Sequence, residues 1–168
     1  TGMIGGFHAA AIDILDNAKL VAACDVVEER VNAFAGEHNC KAYTTIADLM
    51  ADDDVDVVTI GTPSGYHMDP AIAAAEAGKH AIGEKPREST LERIDRVIKA
   101  HDKAGTRLGG VFNSRFTDAG QLFKAAADAG RFGTRTFGVA HCPWWRTQEY
   151  YDSGGWRGTM AVDGGGSY

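Results

Sequence analysis

The sequence predicts an α/β fold, a doubly wound parallel sheet, on three observations. Short apolar runs alternate with stretches of helical spacing through the first two-thirds of the chain. Two of the runs, at residues 20–25 and 55–61, read as strands buried between helices. Three runs end on chemically loaded residues: Asp25, Thr62-Pro63 and Glu84-Lys85-Pro86. A parallel sheet of this kind gathers such strand ends along one edge, where its ligands bind.

Taken in order, Ile4, Phe7, Ala11, Ile12 and Leu15 fall at helical spacing and predict a helix from Ile4 to about Leu15. "LVAACD" (20–25) is a strand ending on an acid. Val27 to Gly36 is helical, with Gly36 as its end. "KAY" (41–43) is a short strand, and Thr45 to Met50 a helix capped by Thr44 or Thr45. "VDVVTIG" (55–61) is a strand. Pro70 to Ala77 is a helix closed by Gly78, and "HAIGE" (80–84) a strand. Ser89 to Ala104 is a long amphipathic helix, capped by Ser89 or Thr90 and closed by Gly105. "RLGGVFN" (107–113) is a strand, Phe116 to Ala129 a helix and "TRTFGVAHC" (134–142) a strand. Near 113–117 the character shifts: Trp144, Trp145, Arg146, Tyr150, Tyr151 and Trp156 crowd the rest of the chain. The expected domains are therefore 1–113 and 114–168.

Composition narrows the function. The 168 residues suit one ordinary domain or slightly more, and 44% apolar with 24% charged residues is a globular balance. With 17 basic against 23 acidic residues the net charge is -6, which disfavours nucleic acid or an anionic membrane as partner. No apolar run reaches the ~18 residues of a membrane-crossing helix. Cys24, Cys40 and Cys142 have no metal-binding spacing. They read as buried, reduced thiols of a cytoplasmic protein, with no metal expected. The chain opens on "TGMIGGFH", already inside a turn, and closes on "AVDGGGSY", so a targeting signal before Thr1 stays open.

Gly2-Met3-Ile4-Gly5 opens a helix. In the dinucleotide pattern G-x-G-x-x-G, Gly2 and Gly5 fit the second and third glycines, for pyrophosphate approach and for helix–strand packing. Gly2, Met3 and Ile4 are thus candidate cofactor residues, with a plain helix-capping glycine pair as the alternative. Asp25 follows Gly5 by twenty residues at a strand end, where an acid would bond the adenosine ribose hydroxyls. It would repel a 2′-phosphate, and Val26 and Val27 offer no positive charge, so NAD is preferred to NADP. Asp25 as a mere turn residue is the alternative.

Hydride exchange at a carbinol carbon also requires a proton to move at its oxygen. The Lys85 ammonium can donate to a ketone, steady a forming alkoxide or, once neutral, accept the alcohol proton. Nearby nicotinamide charge would lower its pKa, and Pro86 holds Lys85 extended. An ordinary surface lysine is the alternative. His67 could approach the nicotinamide ring or be a helix-cap histidine, while His8 reads as structural. Arg115, Arg146 and Arg157 among aromatics suit a polar or anionic ligand, and an interface explains the tryptophans equally well.

"GMIGGFHAAAI", "CD", "TPSGYH", "GEKP" and "WRGT…DGGG", in this order, resemble the Gfo/Idh/MocA oxidoreductases over nearly the whole chain. The resemblance implies a Rossmann domain followed by an α+β domain with an open, mostly antiparallel sheet that often builds dimers or tetramers. It implies a sugar, cyclitol or sugar-derivative substrate. Lys85 would match the family's catalytic lysine, and the Lys85–Pro86 bond is often cis. Thr62, Pro63 and His67 would line the nicotinamide side, with Glu84, Lys85 and Asn113 completing the cofactor set. Arg115, Arg146 and Trp156 would join Lys85 in binding substrate. "WWRTQEYYDSGGWRGTMAVDGGG" (144–166) is similar to a subgroup acting on sugars or nucleotide-sugar derivatives. The first strand and first glycine of the pattern fall before Thr1, and a further catalytic Asp or Asn and a His are expected beyond Gly164, Gly165, Gly166 and Tyr168. The chain reads as a portion of a protein of roughly twice this length, poorly folded and inactive alone. Two other readings stay open: an NAD-dependent glycosidase using transient oxidation, which accumulates no NADH, and a non-catalytic dinucleotide-binding fragment.

Overall fold

The computed structural model describes residues 1–164; Gly165 and Gly166 of the triple glycine lie outside the described residues. The elements run α1 (Met3–Asp13), β1 (Ala22–Cys24), α2 (Glu28–His38), β2 (Lys41–Tyr43), α3 (Ile46–Met50), β3 (Val57–Ile60), α4 (Met68–Glu76), β4 (His80–Gly83), α5 (Leu91–Ala104), β5 (Leu108–Gly110), α6 (Asp118–Asp128) and α7 (Gln148–Asp152). Every strand pairing is parallel: β1 with β2, and β3-β4-β5 in that order. Among the described residues the strands thus form two parallel sheets, β1-β2 and β3-β4-β5, with no ladder between them.

Both strand groups share one core. Val58, Ile60, Ala81, Met68, Ala71, Ala74 and Val97 are buried together, and Val21, Ala22 and Cys24 pack against them from the β1 side. Local chemistry fixes the helix ends. The Thr45, Thr90 and Thr117 hydroxyls accept the N–H groups of Asp48, Arg93 and Gly120, capping α3, α5 and α6. Gly105 closes α5 at φ +70. The Lys79 ammonium is buried and donates to the Asp52 and Val55 carbonyls at 2.8 and 2.7 Å, tying the strand entries together.

Three expectations are corrected. α2 does not stop at Gly36 but runs on to His38, and Asn39 closes it at φ 50. Residues 134–142 form no strand. A strand needs a neighbour to satisfy its backbone, no described segment pairs with this one, and Phe137 and Val139 stay exposed. The thiols are not buried: Cys24 and Cys40 are half-buried and Cys142 is exposed.

Candidate cofactor and proton-transfer site

Because β3 and β4 are parallel, Gly61-Thr62-Pro63 and Glu84-Lys85 leave their sheet on the same edge, while Asp25 leaves β1 beside Thr1, at the start of α1. Gly2 caps it in an extended conformation with no side-chain cap, so the first-turn N–H groups of Met3 and Ile4 face no competing side-chain acceptor. A Cβ built on Gly2 would touch nothing within 4 Å, which leaves room for a ligand to approach the backbone. An uncapped helix start with a bare backbone fits a pyrophosphate. A Cβ at Gly5 would make only ordinary contact with Phe34, whereas one at Gly61 would lie 3.0 Å from Ile4. It is Gly61, at the end of β3, that lets α1 approach the sheet.

Asp25 is half-buried just past β1. Its Oδ2 accepts the Thr1 hydroxyl at 2.7 Å and its Oδ1 the Val27 N–H at 3.0 Å. Burial pushes its carboxyl up, but these hydrogen bonds prevail and hold it at about 2. Val26 and Val27 indeed bring no charge, yet Arg30, one turn into α2, sits 3.3 Å from Asp25. The sequence reasoning passed over this cation; the signal was available, since the first turn of the following helix lies within reach of a strand-end acid.

Lys85 is exposed and, among the described residues, its ammonium makes no hydrogen bond or ion pair. Its surroundings are tightly built. The Glu84 N–H donates to Ile60 at 3.0 Å, and the Lys85 N–H donates to Glu84 Oε2 at 3.0 Å. Glu84 Oε1 lies 3.1 Å from His8 Nε2, and His8 Nδ1 3.1 Å from the Thr59 hydroxyl. Glu84 thus ties the end of β4 to α1 through His8. The Lys85–Pro86 peptide is cis. Thr62 turns its hydroxyl inward to the Tyr66 carbonyl at 3.0 Å. His67 is buried, with both ring nitrogens on main-chain carbonyls, and does not open toward the edge. Pro63 leads into the helical turn Ser64–Tyr66.

The remaining candidates divide. Asn113 and Arg115 are exposed on a short helical turn, with the Arg115 guanidinium over Phe112 at 4.7 Å. Arg146 and Arg157 both lie over the Tyr150 ring, at 5.1 and 4.8 Å, and Arg157 also covers Trp156 at 5.1 Å. Arg146, Trp156 and the additional Arg157 therefore form one cation–aromatic cluster, which Arg115 does not join. The end of this segment returns to the edge: a Cβ at Gly65 would lie 3.0 Å from Val162, and Arg93 reaches the Gly65 carbonyl at 3.1 Å.

Residues 1–111 match the family model GFO_IDH_MocA, described as oxidoreductase family, NAD-binding Rossmann fold. Inositol 2-dehydrogenase 3 of Saccharopolyspora erythraea is 34% identical over 84% of this chain and 42% of its own length. Myo-inositol 2-dehydrogenase of Thermotoga maritima is 35% identical over 79% of this chain and 40% of its own. The chain thus spans well under half the length of these curated relatives. Among solved structures, the WlbA dehydrogenase of Bordetella pertussis in complex with NADH and UDP-GlcNAcA superposes with a TM-score of 0.87 at 36% identity, over 96% of this chain and 47% of that one. An apo scyllo-inositol dehydrogenase from Lactobacillus casei gives 0.74 at 29% identity, over 79% and 40%.

Proposed function

The chain belongs to the Gfo/Idh/MocA oxidoreductases and carries their NAD-binding Rossmann fold, and from that premise we propose that the whole protein transfers a hydride between NAD and a hydroxyl-bearing carbon of a sugar, cyclitol or sugar derivative. The observation that carries this reading is the exposed Lys85 just past β4, next to Glu84, which is joined through His8 to α1, whose uncapped start lies beside Asp25. Gly2, Met3 and Ile4 would hold the pyrophosphate and Asp25 the adenosine ribose. NAD, when bound, supplies the hydride acceptor or donor. Lys85 would hold or move the proton at the substrate oxygen, which stabilises the charge that develops there.

Within that class a nucleotide-activated acidic sugar is favoured. The WlbA structure, solved with UDP-GlcNAcA, matches 96% of the chain, whereas the inositol dehydrogenase match covers 79%. The broader match takes in more of the region beyond the Rossmann fold, where Arg146, Arg157, Tyr150 and Trp156 cluster. Two guanidiniums among aromatic faces suit an anionic, ring-bearing ligand. Arg115 and Asn113 remain with this proposal as substrate and cofactor contacts. The same reading takes the enzyme to work as a cytoplasmic homo-oligomer, which three unpaired cysteines support for the compartment.

The test uses the full-length protein with NAD and a panel of inositols, simple sugars and UDP-sugar acids, following NADH absorbance. Turnover is expected with one of these, and Lys85→Ala should lower kcat by about 10²- to 10⁴-fold while NAD still binds. Undiminished turnover in the variant would remove Lys85 from the chemistry. Glycosidic cleavage without net NADH would replace the dehydrogenase with the glycosidase reading.

A further inference from the structure

We propose that His8 is a positioning residue of this site, tying helix α1 to the Lys85 turn so that a cofactor seated at the start of α1 fixes the placement of Lys85. The coupling rests on the cofactor and Lys85 roles proposed above.

α1 crosses one face of β3. Side chains four apart stand on one face of a helix, and Ile4 and His8 of α1 are such a pair. Ile4 meets the end of β3, where a Cβ on Gly61 would lie 3.0 Å from it. His8, one turn later, places Nδ1 3.1 Å from the Thr59 hydroxyl. Thr59 and Gly61 are two residues apart and so share a sheet face. Thr59 is in register with Ile82 of β4, which sets Ile82, and Glu84 two residues on, to that same face. Neighbouring strands lie about 4.8 Å apart, and the His8 ring spans the gap, with Nε2 3.1 Å from Glu84 Oε1.

The Glu84 side chain carries the link onward. Its Oε2 accepts the Lys85 N–H at 3.0 Å, and its own main-chain N–H donates to Ile60 at 3.0 Å. The His8 and Glu84 side chains are only 16% and 14% exposed, so water competes little for their contact. Two polar contacts in series thus run from α1 to the main chain of Lys85. His67 anchors the residue after Lys85, its ring nitrogens lying 2.8 Å from the Pro86 and Thr62 carbonyl oxygens. That ring stands at the entry to α4, whereas His8 belongs to the helix whose start would hold the pyrophosphate.

α1 has little else to fix it. Ala9 is its one buried residue, and Met3 and Phe7 are exposed. Helices in proteins are held mostly by a packed apolar face; with so small a one, the directed contacts of His8 decide where α1 lies on the sheet. His8 is five residues from Met3, about 7.5 Å along the axis, a span over which a helix moves as one body. A pyrophosphate held by the Met3 and Ile4 N–H groups would therefore steady His8, then Glu84, then Lys85. A catalytic group displaced by about 1 Å loses on the order of a hundredfold in rate.

The test uses ADP on the full-length protein, because ADP carries the adenosine and pyrophosphate of NAD but no nicotinamide to touch Lys85. The readout is hydrogen exchange of the Lys85 amide, the group that donates to Glu84. Saturating ADP should slow it about fivefold or more in the wild type. In His8→Leu the amide should exchange about threefold to tenfold faster without ligand, and ADP should bind without slowing it. kcat with NAD should fall about tenfold to a hundredfold, with the substrate KM changed less. His8→Gln, whose amide nitrogen can stand where Nε2 stands, should restore most of the ADP response. A merely structural role would lower stability in His8→Leu and leave that response intact.

An equal ADP response in His8→Leu, or none in ADP-saturated wild type, would overturn the proposal. If ADP does not bind the wild type at all, the cofactor reading falls and the coupling with it. If ADP binds but no sugar is turned over with NAD, the role of Lys85 fails, while amide exchange still decides the link. Should His8→Leu not fold, Thr59→Val, which removes the hydroxyl beside Nδ1 at similar volume, takes its place: the ADP response should weaken, and an undiminished one would overturn the proposal.

Discussion

Asp25 and Arg30 set a choice at the scale of single residues. Burial acts to raise the Asp25 carboxyl, and hydrogen bonds from Thr1 and Val27 overcome it, so it falls from 3.8 to about 2. A carboxyl lowered on folding contributes stability that is present above pH 3.8 and lost as pH falls through about 2. Asp25 therefore stays an ionised acceptor throughout the neutral range and adds no pH dependence to NAD binding there. It also occupies Arg30. In Asp25→Ser the guanidinium is released beside the site where a 2′-phosphate would sit, and a hydrogen bond to a charged group is worth about 1.5–3 kcal/mol. The ratio of NADP to NAD affinity should rise about tenfold to a hundredfold, measured by titration calorimetry on both cofactors. A constant ratio would show that Arg30 does not reach the ribose. Asp25 was legible because a strand-end acid after a glycine turn is a pattern in sequence. The Arg30 contact was less so, since it depends on the path of the chain between β1 and α2.

Between elements, α4 and α5 are joined through a polar bolt in an apolar seam. His101 of α5 is 2% exposed and bonds Ala71 of α4 and Thr106 beyond its own helix. Burial lowers its pKa from 6.5. For a base lowered on folding, the unfolded chain takes up the proton first, so this stability is present above pH 6.5 and lost as pH falls below it. Urea unfolding should accordingly show the protein weakening on acidification below that value. His101→Leu should cost about 1–3 kcal/mol at neutral pH, because two partners are left unpaired, and should flatten the acid limb. An equally steep acid limb in the variant would assign that limb to other groups. The element boundaries themselves were legible where chemistry marks them, as at Thr45 and Gly105. Gly36 misled because a glycine inside a helix costs only about 1 kcal/mol. Buried Val31 and Ala35 hold that part of α2 against the sheet, so the helix continues past it. The contacts of His67 were invisible for a different reason: they are made to main-chain carbonyl oxygens, and no residue type announces where a carbonyl points.

Over the whole molecule, the parallel pairing was readable because each of the first five apolar runs finds a neighbour within the chain. The strand expected at 134–142 was misread because a strand is a partnership, and its residues reveal their own preference but not whether a partner is present. The same distinction governs local stability. β3, β4, α4 and α5 contribute Val58, Ile60, Ala81, Ala74 and Val97 to one core. α6, at 11 residues, has no buried side chain; Leu122 and Phe123 are 73% and 67% exposed, and Phe123 meets Phe132 at 5.4 Å between ring centres. Helices shorter than about 12–15 residues are marginal in water unless one face is packed. In residues 1–168 studied as a separate polypeptide, amides of α6 should exchange with solvent roughly a hundredfold or more faster than those of β3 and β4. Comparable protection would mean that α6 has found a packing partner within these residues. Measured again in the full-length protein, slower exchange confined to α6 and residues 134–146 would locate the surface that covers Leu122, Phe123, Trp144 and Trp145. Exchange unchanged there would leave those side chains exposed to a ligand or to another protein molecule.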